Sequence, residues 1–171
     1  MRRLMPVLLV AACCAALMGG CGGAKSTYIP ASGGAGIDPA AHFSVGNIEN
    51  MSGFSNKNFD ISDAMKRSLQ AELGKHKPTS PTNYTVNVNI LQYAPGSAYA
   101  RWALPGTGVG ATRLSVDAIV LNQEGNQVAR IPVEQSYTTS FGDGRVGAGE
   151  RVFDEVAVEI VKALQQPAQR R

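Results

Sequence analysis

Beyond residue 21 this sequence contains no cysteine: Cys13, Cys14 and Cys21 are the only three in 171 residues. That excludes a disulfide within the folded part and leaves it no thiol for zinc or for nucleophilic catalysis. Histidine is almost as scarce. His42 and His76 are the only two, and neither stands near a thiol or a suitably spaced carboxylate, so surface histidines are expected and no metal site. No G-x-S-x-G elbow occurs. Charge is sparse as well, with 16 Lys and Arg against 13 Asp and Glu. Two of the basic residues, Arg2 and Arg3, belong to the extreme N-terminus. The rest is close to neutral and has none of the basic striping that nucleic-acid binding requires. The apolar run over 4–18 is about fifteen residues long, short of the roughly twenty that a membrane-spanning helix needs.

That run has a different reading. A positive start, an apolar middle and the small residues Gly19 and Gly20 make residues 1–20 a secretory signal peptide. Leu17-Met18-Gly19-Gly20-Cys21 resembles the lipobox of bacterial lipoproteins, with Met18 where Leu is usual. The resemblance implies that Cys21 becomes the first residue of the mature chain, its thiol carrying a diacylglycerol and its amino group a further acyl chain such as palmitate. Val10-Ala11-Ala12-Cys13 offers a second, poorer match, with less apolar sequence before it. Each buried methylene contributes about 0.8 kcal/mol, so two or three acyl chains hold a protein on a bilayer where one does not. The lipobox resemblance further implies that Gly22 after the cysteine, rather than Asp, favours sorting to the outer membrane with the domain in the periplasm.

The mature chain of about 150 residues is enough for one domain. Residues 21–41 are rich in Gly, Ala, Ser and Pro and read as a lipidated N-terminus and flexible tether with a reach of about 25 Å. A single domain is expected over 42–166, followed by a disordered tail over 167–171. Within it, Phe43 and Val45 alternate as a short strand. A helix is predicted over 61–73, capped by Asp60, with Asp63 near its positive end and with Ile61, Ala64, Met65, Leu69 and Leu73 on one face. Gly74 is expected to close it in a left-handed conformation. Tyr84, Val86, Val88 and Ile90 alternate with Thr85, Asn87 and Asn89, as in an antiparallel sheet wetted on one side. Residues 97–104 are expected to be an extended arm. Strands follow over 113–121, 127–133 and 135–141, with a hairpin turn at Gly125 and Pro132 marking an edge or a bulge. Val152, Phe153, Val156, Ala157, Ile160, Val161 and Leu164 trace the stripe of a last helix. A helix this short is marginal alone in water, so it must pack on the apolar face of the sheet. Glu150, Asp154, Glu155 and Glu159 fall on its solvated face. The expected class is α+β. It is a two-layer sandwich of a mainly antiparallel sheet, four to five strands, with two helices on one face, in the order β-α-β-β-β-(β)-α.

Two glycine-rich stretches resemble nucleotide loops without the required context. Gly142-Asp143-Gly144-Arg145-Val146-Gly147 has dinucleotide-loop spacing, but no second parallel strand with an acidic residue follows. Gly106-Thr107-Gly108-Val109-Gly110 leads into a strand, and no Lys-Ser/Thr comes after it. No cofactor is expected. The cluster that attracts a functional reading is Tyr93, Tyr99, Arg101, Trp102 and Leu104, because aromatic side chains with Arg are the usual anchors of protein interfaces.

Pro95-Gly96-Ser97-Ala98, Ala100-Arg101-Trp102, the glycines at 106, 108 and 110, the alternating strand after them and the Gly125 turn together resemble an uncharacterised family of bacterial lipoproteins (domain of unknown function 4410-like). With the Tyr84 strand and the closing helix, about 120 residues are covered. The resemblance implies no activity; its general shape is similar to envelope modules that act by binding. The expectation is therefore a non-enzymatic binding or assembly module, bound to the membrane through its acyl chains and to another envelope protein through the cluster around Trp102. A carrier or enzyme acting on envelope lipid or cell-wall material, and a structural lipoprotein that forms homo-oligomers, are the alternatives.

Overall fold

The computed structural model describes residues 25–31, 36–104, 110–137 and 148–166. Within these, nine elements follow the chain: β1 (Lys25–Ser26), β2 (Ile29–Pro30), β3 (His42–Asn50), α1 (Ile61–Leu73), β4 (Asn83–Ala94), α2 (Ala98–Ala103), β5 (Thr112–Leu121), β6 (Gln127–Tyr137) and α3 (Ala148–Gln165). One sheet holds all six strands in the order β1-β6-β5-β4-β3, with β2 also on β6. Every pairing is antiparallel except that of β3 with β4. The long helices α1 and α3 pack against each other and against the sheet. The α+β two-layer architecture is the expected one.

Binary patterning produces it. Val86, Val88 and Ile90 of β4, Leu114, Val116, Ala118 and Val120 of β5, and Ala129, Ile131 and Val133 of β6 are all buried. They share one face because residues two apart on a strand point the same way. The stripe of α3 is buried from Val152 to Leu164 and fills the space over that face. Asp60 caps α1 as expected, its Oδ1 accepting from the N–H groups of Ser62 at 2.8 Å and Asp63 at 3.3 Å. The acidic residues of α3 do more than face solvent. Asp154 accepts from the Ser68 hydroxyl at 2.6 Å and ties α3 to α1. Glu155 accepts from the buried Gln135 amide.

Four expectations change. The segment from Lys25 to Pro30 is not free tether: Lys25 and Ser26 pair with Glu134 and Val133, and Ile29 and Pro30 with Arg130 and Ala129. Further along, Ile37 and Ala41 are buried, and the Ile37 and Asp38 N–H groups donate to the hydroxyls of Tyr28 and Tyr84. Small residues with little apolar period are here recruited by an edge that would otherwise be unpaired. Pro132 lies opposite the gap between the two short pairings, which accommodates its missing N–H. Second, Gly74 has φ −64° and continues the helical turn. The carbonyls of Glu72 and Leu73 are then satisfied by i→i+3 bonds from Lys75 and His76. His76 is not a free surface histidine either, since its Nε2 lies 3.2 Å from the Ala41 carbonyl and its ring packs against Phe43. Third, residues 98–103 are helical rather than extended. Fourth, the last strand is one continuous element to Tyr137. The glycine-rich stretch 142–147, glycines 106 and 108, and the 167–171 tail lie outside the described residues.

In β3 a bulge places Gly46 and Asn47 opposite the single Asn87. The Asn87 Oδ1 accepts from the Asn47 N–H at 2.8 Å, and a Cβ on Gly46 would come within 2.0 Å of that oxygen. Gly46→Ala is expected to destabilise the fold by about 1–3 kcal/mol in a urea titration. Adding Asn87→Ala should restore part of the loss, because it removes the atom in the way. Two independent, additive losses would overturn this account.

Candidate functional site

The expected cluster lies where β4 gives way to β5, and a second bulge decides its composition. Ile90 pairs with Val116 and Gln92 with Ser115, so Leu91 is an extra residue on β4. One inserted residue reverses the alternation. Leu91 and Gln92 both become exposed, and Tyr93 turns inward beside Ile90. Tyr93 is only 8% exposed and meets Phe54 edge-on at 4.8 Å, Phe153 at 5.4 Å and Phe59 at 6.3 Å. It is a core residue, not a surface anchor. Burial pushes its phenol above the ordinary tyrosine value of 10.0.

Beyond Tyr93 the chain is pinned on both sides of α2. The Gly96 N–H donates to Oγ1 of the buried Thr112 at 3.1 Å, and the Ser97 N–H to the Gly110 carbonyl at 3.1 Å. The Ser97 hydroxyl caps α2 by accepting from the Ala100 N–H at 3.2 Å. On this short helix and its cap Tyr99 is 75% exposed and Leu104 50%. Arg101 and Trp102 are on the same helix; the disposition of their side chains, like Cys21 as a whole, lies outside what the structure describes.

Sequence reasoning missed two members of this surface. Met51 is 57% exposed and Leu91 44%. The Met51 N–H donates to the Ile90 carbonyl at 2.9 Å, placing Met51 beside Leu91. The turn after β3 holds it there: Asn50 Oδ1 accepts from the Ser52 N–H and hydroxyl, and Asn50 Nδ2 donates to the Phe54 carbonyl. β3 and β4 end at this same edge of the domain, and β5 begins there. Met51, Leu91, Tyr99 and Leu104 thus belong to segments that meet at one end of the sheet. Of the large apolar side chains exposed among the described residues, only Ile29 is elsewhere. The alternation of β4 carried no sign of this arrangement, because a bulge has no sequence signature as plain as a turn.

Two open grooves flank the domain. One, of about 360 Å³, runs between β3 and the end of α1 and includes His42, Phe43, Ser44, Leu73 and His76. The other, of about 370 Å³, has Lys25, Gln92, Arg113, Ser115, Glu134 and Ser136 around it. On the open face of the sheet, Asp117 is buried and pairs at 2.7 Å with the Nε of Arg130, which keeps a buried carboxylate compensated. Among the described residues no three His, Cys, Asp or Glu side chains are grouped to hold a metal ion.

The sequence profile of a family described as a domain of unknown function (DUF4410) matches residues 45–140. No curated protein shows significant similarity to the chain. Among solved structures the chain is similar to the PelC dodecamer from Paraburkholderia phytofirmans, at 10% identity and a TM-score of 0.52, over 84% of this chain and 99% of that one. A candidate lipoprotein from Caulobacter crescentus CB15 is similar at 17% identity and a TM-score of 0.40, over 74% of this chain and 85% of that one. A Xanthomonas campestris protein of the DUF330 family is similar at 11% identity and a TM-score of 0.45, over 80% and 89% of the two chains. The first likeness concerns the fold alone, and the other two add nothing to it.

Core and surface tyrosines are separable by experiment. Tyr93→Ala is expected to cost about 3–5 kcal/mol of stability, and Tyr99→Ala within about 0.5 kcal/mol of nothing. Because the Tyr93 phenol is raised in the folded state, its contribution to stability is complete below pH 10. It declines as pH rises from there through the folded value, where the unfolded chain ionises first. Chemical denaturation of wild type and Tyr93→Phe across pH 9–12 should show the steeper decline in the wild type; parallel curves would contradict the burial effect.

Proposed function

The chain belongs to the DUF4410 family, and on that premise we propose that it is a non-enzymatic envelope lipoprotein that works as a binding or assembly module. Its signal is removed before Cys21, the acylated cysteine holds it on the periplasmic side of the outer membrane, and its contact surface is the apolar end built around α2. The observation that carries this reading is that, of the five large apolar side chains exposed among the described residues, Met51, Leu91, Tyr99 and Leu104 belong to segments at one end of the sheet. Arg101 and Trp102, on the same helix, are the remaining contact residues. Two features support binding over catalysis. The two grooves seen among the described residues are open rather than the deep enclosed pockets that small-molecule chemistry uses. The buried carboxylate Asp117 is already neutralised by Arg130.

Crosslinking in living cells followed by identification of the captured components tests the proposal. Tyr99→Ala with Leu104→Ala, and separately Arg101→Ala with Trp102→Ala, should reduce capture several-fold while the folded fraction stays unchanged. Undiminished capture would remove this surface from consideration. Cys21→Ala should abolish membrane association, and mass spectrometry of the processed wild type should find acyl chains on residue 21. A second reading, self-association, is favoured by β3, which among the described residues pairs within the sheet on one side only. PelC, whose fold is similar, is a dodecamer. Native mass measurement of the acylated protein in detergent decides between a monomer and a homo-oligomer.

A further inference from the structure

We infer that the apolar end around α2 is a membrane-contact surface, whose partner is the interfacial region of the phospholipid bilayer that carries the lipid anchor. This rests on the proposed acylation of Cys21 and names the partner of the surface proposed above. The argument is one of chain length and strand direction. β1 starts at Lys25, paired with Glu134, and runs antiparallel to β6 toward Pro30, which is paired with the neighbourhood of Ala129 through β2. Three residues separate Cys21 from Lys25, and four Cα–Cα steps of 3.80 Å span at most about 15 Å. The anchor is therefore within about 15 Å of Lys25, whatever path the chain takes between them.

Only one end of the sheet is within that distance. From Glu134 to the end of β6 at Tyr137 is about 10 Å, at roughly 3.3 Å per residue. Tyr137 pairs with Thr112 at the start of β5, next to the pinned base of α2. In the other direction Gln127, at the hairpin, is about 23 Å from Glu134 along the strand. The chain also enters β1 from the Tyr137 side, since it proceeds from Lys25 away from that end. A domain held this closely cannot float free on a long leash. The bilayer is brought to the end of the sheet where Met51, Leu91, Tyr99 and Leu104 are exposed. Tyrosine and aliphatic side chains on a pinned turn suit the region where headgroups meet acyl chains. Lys25 and Arg113, beside the groove at the same end, supply cations for phosphate groups, with Glu134 between them. No helix among the described residues is long and apolar enough to cross a membrane, so the contact is interfacial.

The test uses the mature acylated protein, whose one native cysteine is blocked by its lipid. Single cysteines are introduced at exposed positions, Met51→Cys and Leu104→Cys at the apolar end, and Lys77→Cys and Glu124→Cys as controls at the far end. Each is labelled with a polarity-sensitive fluorophore. The protein is bound to vesicles of phosphatidylethanolamine and phosphatidylglycerol, with and without phosphatidylcholine carrying a shallow spin-label quencher. The expected result is a blue shift and loss of fluorescence at 51 and 104, with neither at 77 and 124. Equal, unquenched signals at all four positions on vesicle-bound protein would overturn the inference while leaving the anchor intact, as would quenching at 77 and 124 alone. Mass spectrometry on the same samples reports acylation separately: an unmodified residue 21 would overturn the underlying reading of the anchor, and with it this inference.

Discussion

The fold depends on covering one apolar sheet face with α3. The inward side chains of β4, β5 and β6 form a surface that water would penalise, and the stripe of α3 from Val152 to Leu164 is the matching surface. Neither is stable without the other. Once they meet, strand parity dictates everything else: each residue on a strand is either under the helices or out on the polar face. Asp117, Arg130, Asn87 and Asn89 fall on the outer side for that reason, and the buried member of that group, Asp117, brings its own cation.

A parity rule can be reversed by a single residue, and here that reversal builds the candidate site. The extra residue at Leu91 turns Tyr93 inward to complete an aromatic cluster with Phe54, Phe59 and Phe153. It also exposes Leu91 next to Met51. The chain is then gripped by Thr112 and Gly110 before it can leave, so α2 sits on a firm base and presents Tyr99 and Leu104 outward. The backbone at the apolar end is thus fixed between two buried residues, Tyr93 and Thr112.

The other edge of the sheet bears on the proposed anchor. Edge strands with free N–H and C=O groups invite pairing, and β6 takes up the nearest available backbone, that of residues 25–30. A stretch with little apolar periodicity is thereby ordered by hydrogen bonds that composition does not report. The remaining distance from Cys21 to the sheet becomes short, which converts a question of reach into one of orientation.

Read from residues alone, this protein declared the export signal pattern, the thiol-free domain, the capped helix 61–73, the alternation of β4 and β5, the Gly125 turn and the stripe of α3. Together these made the α+β sandwich legible. They are local signals: a period, a cap, a turn residue, each set by its immediate neighbours. What only the tertiary structure decided was non-local: the parallel partner of β3, the recruitment of residues 25–30, the inward turn of Tyr93 and the company of Met51 and Leu91. Each depends on which backbone lies across from which, and a contact of that kind forms between residues far apart in sequence, where neither one carries a mark of the other.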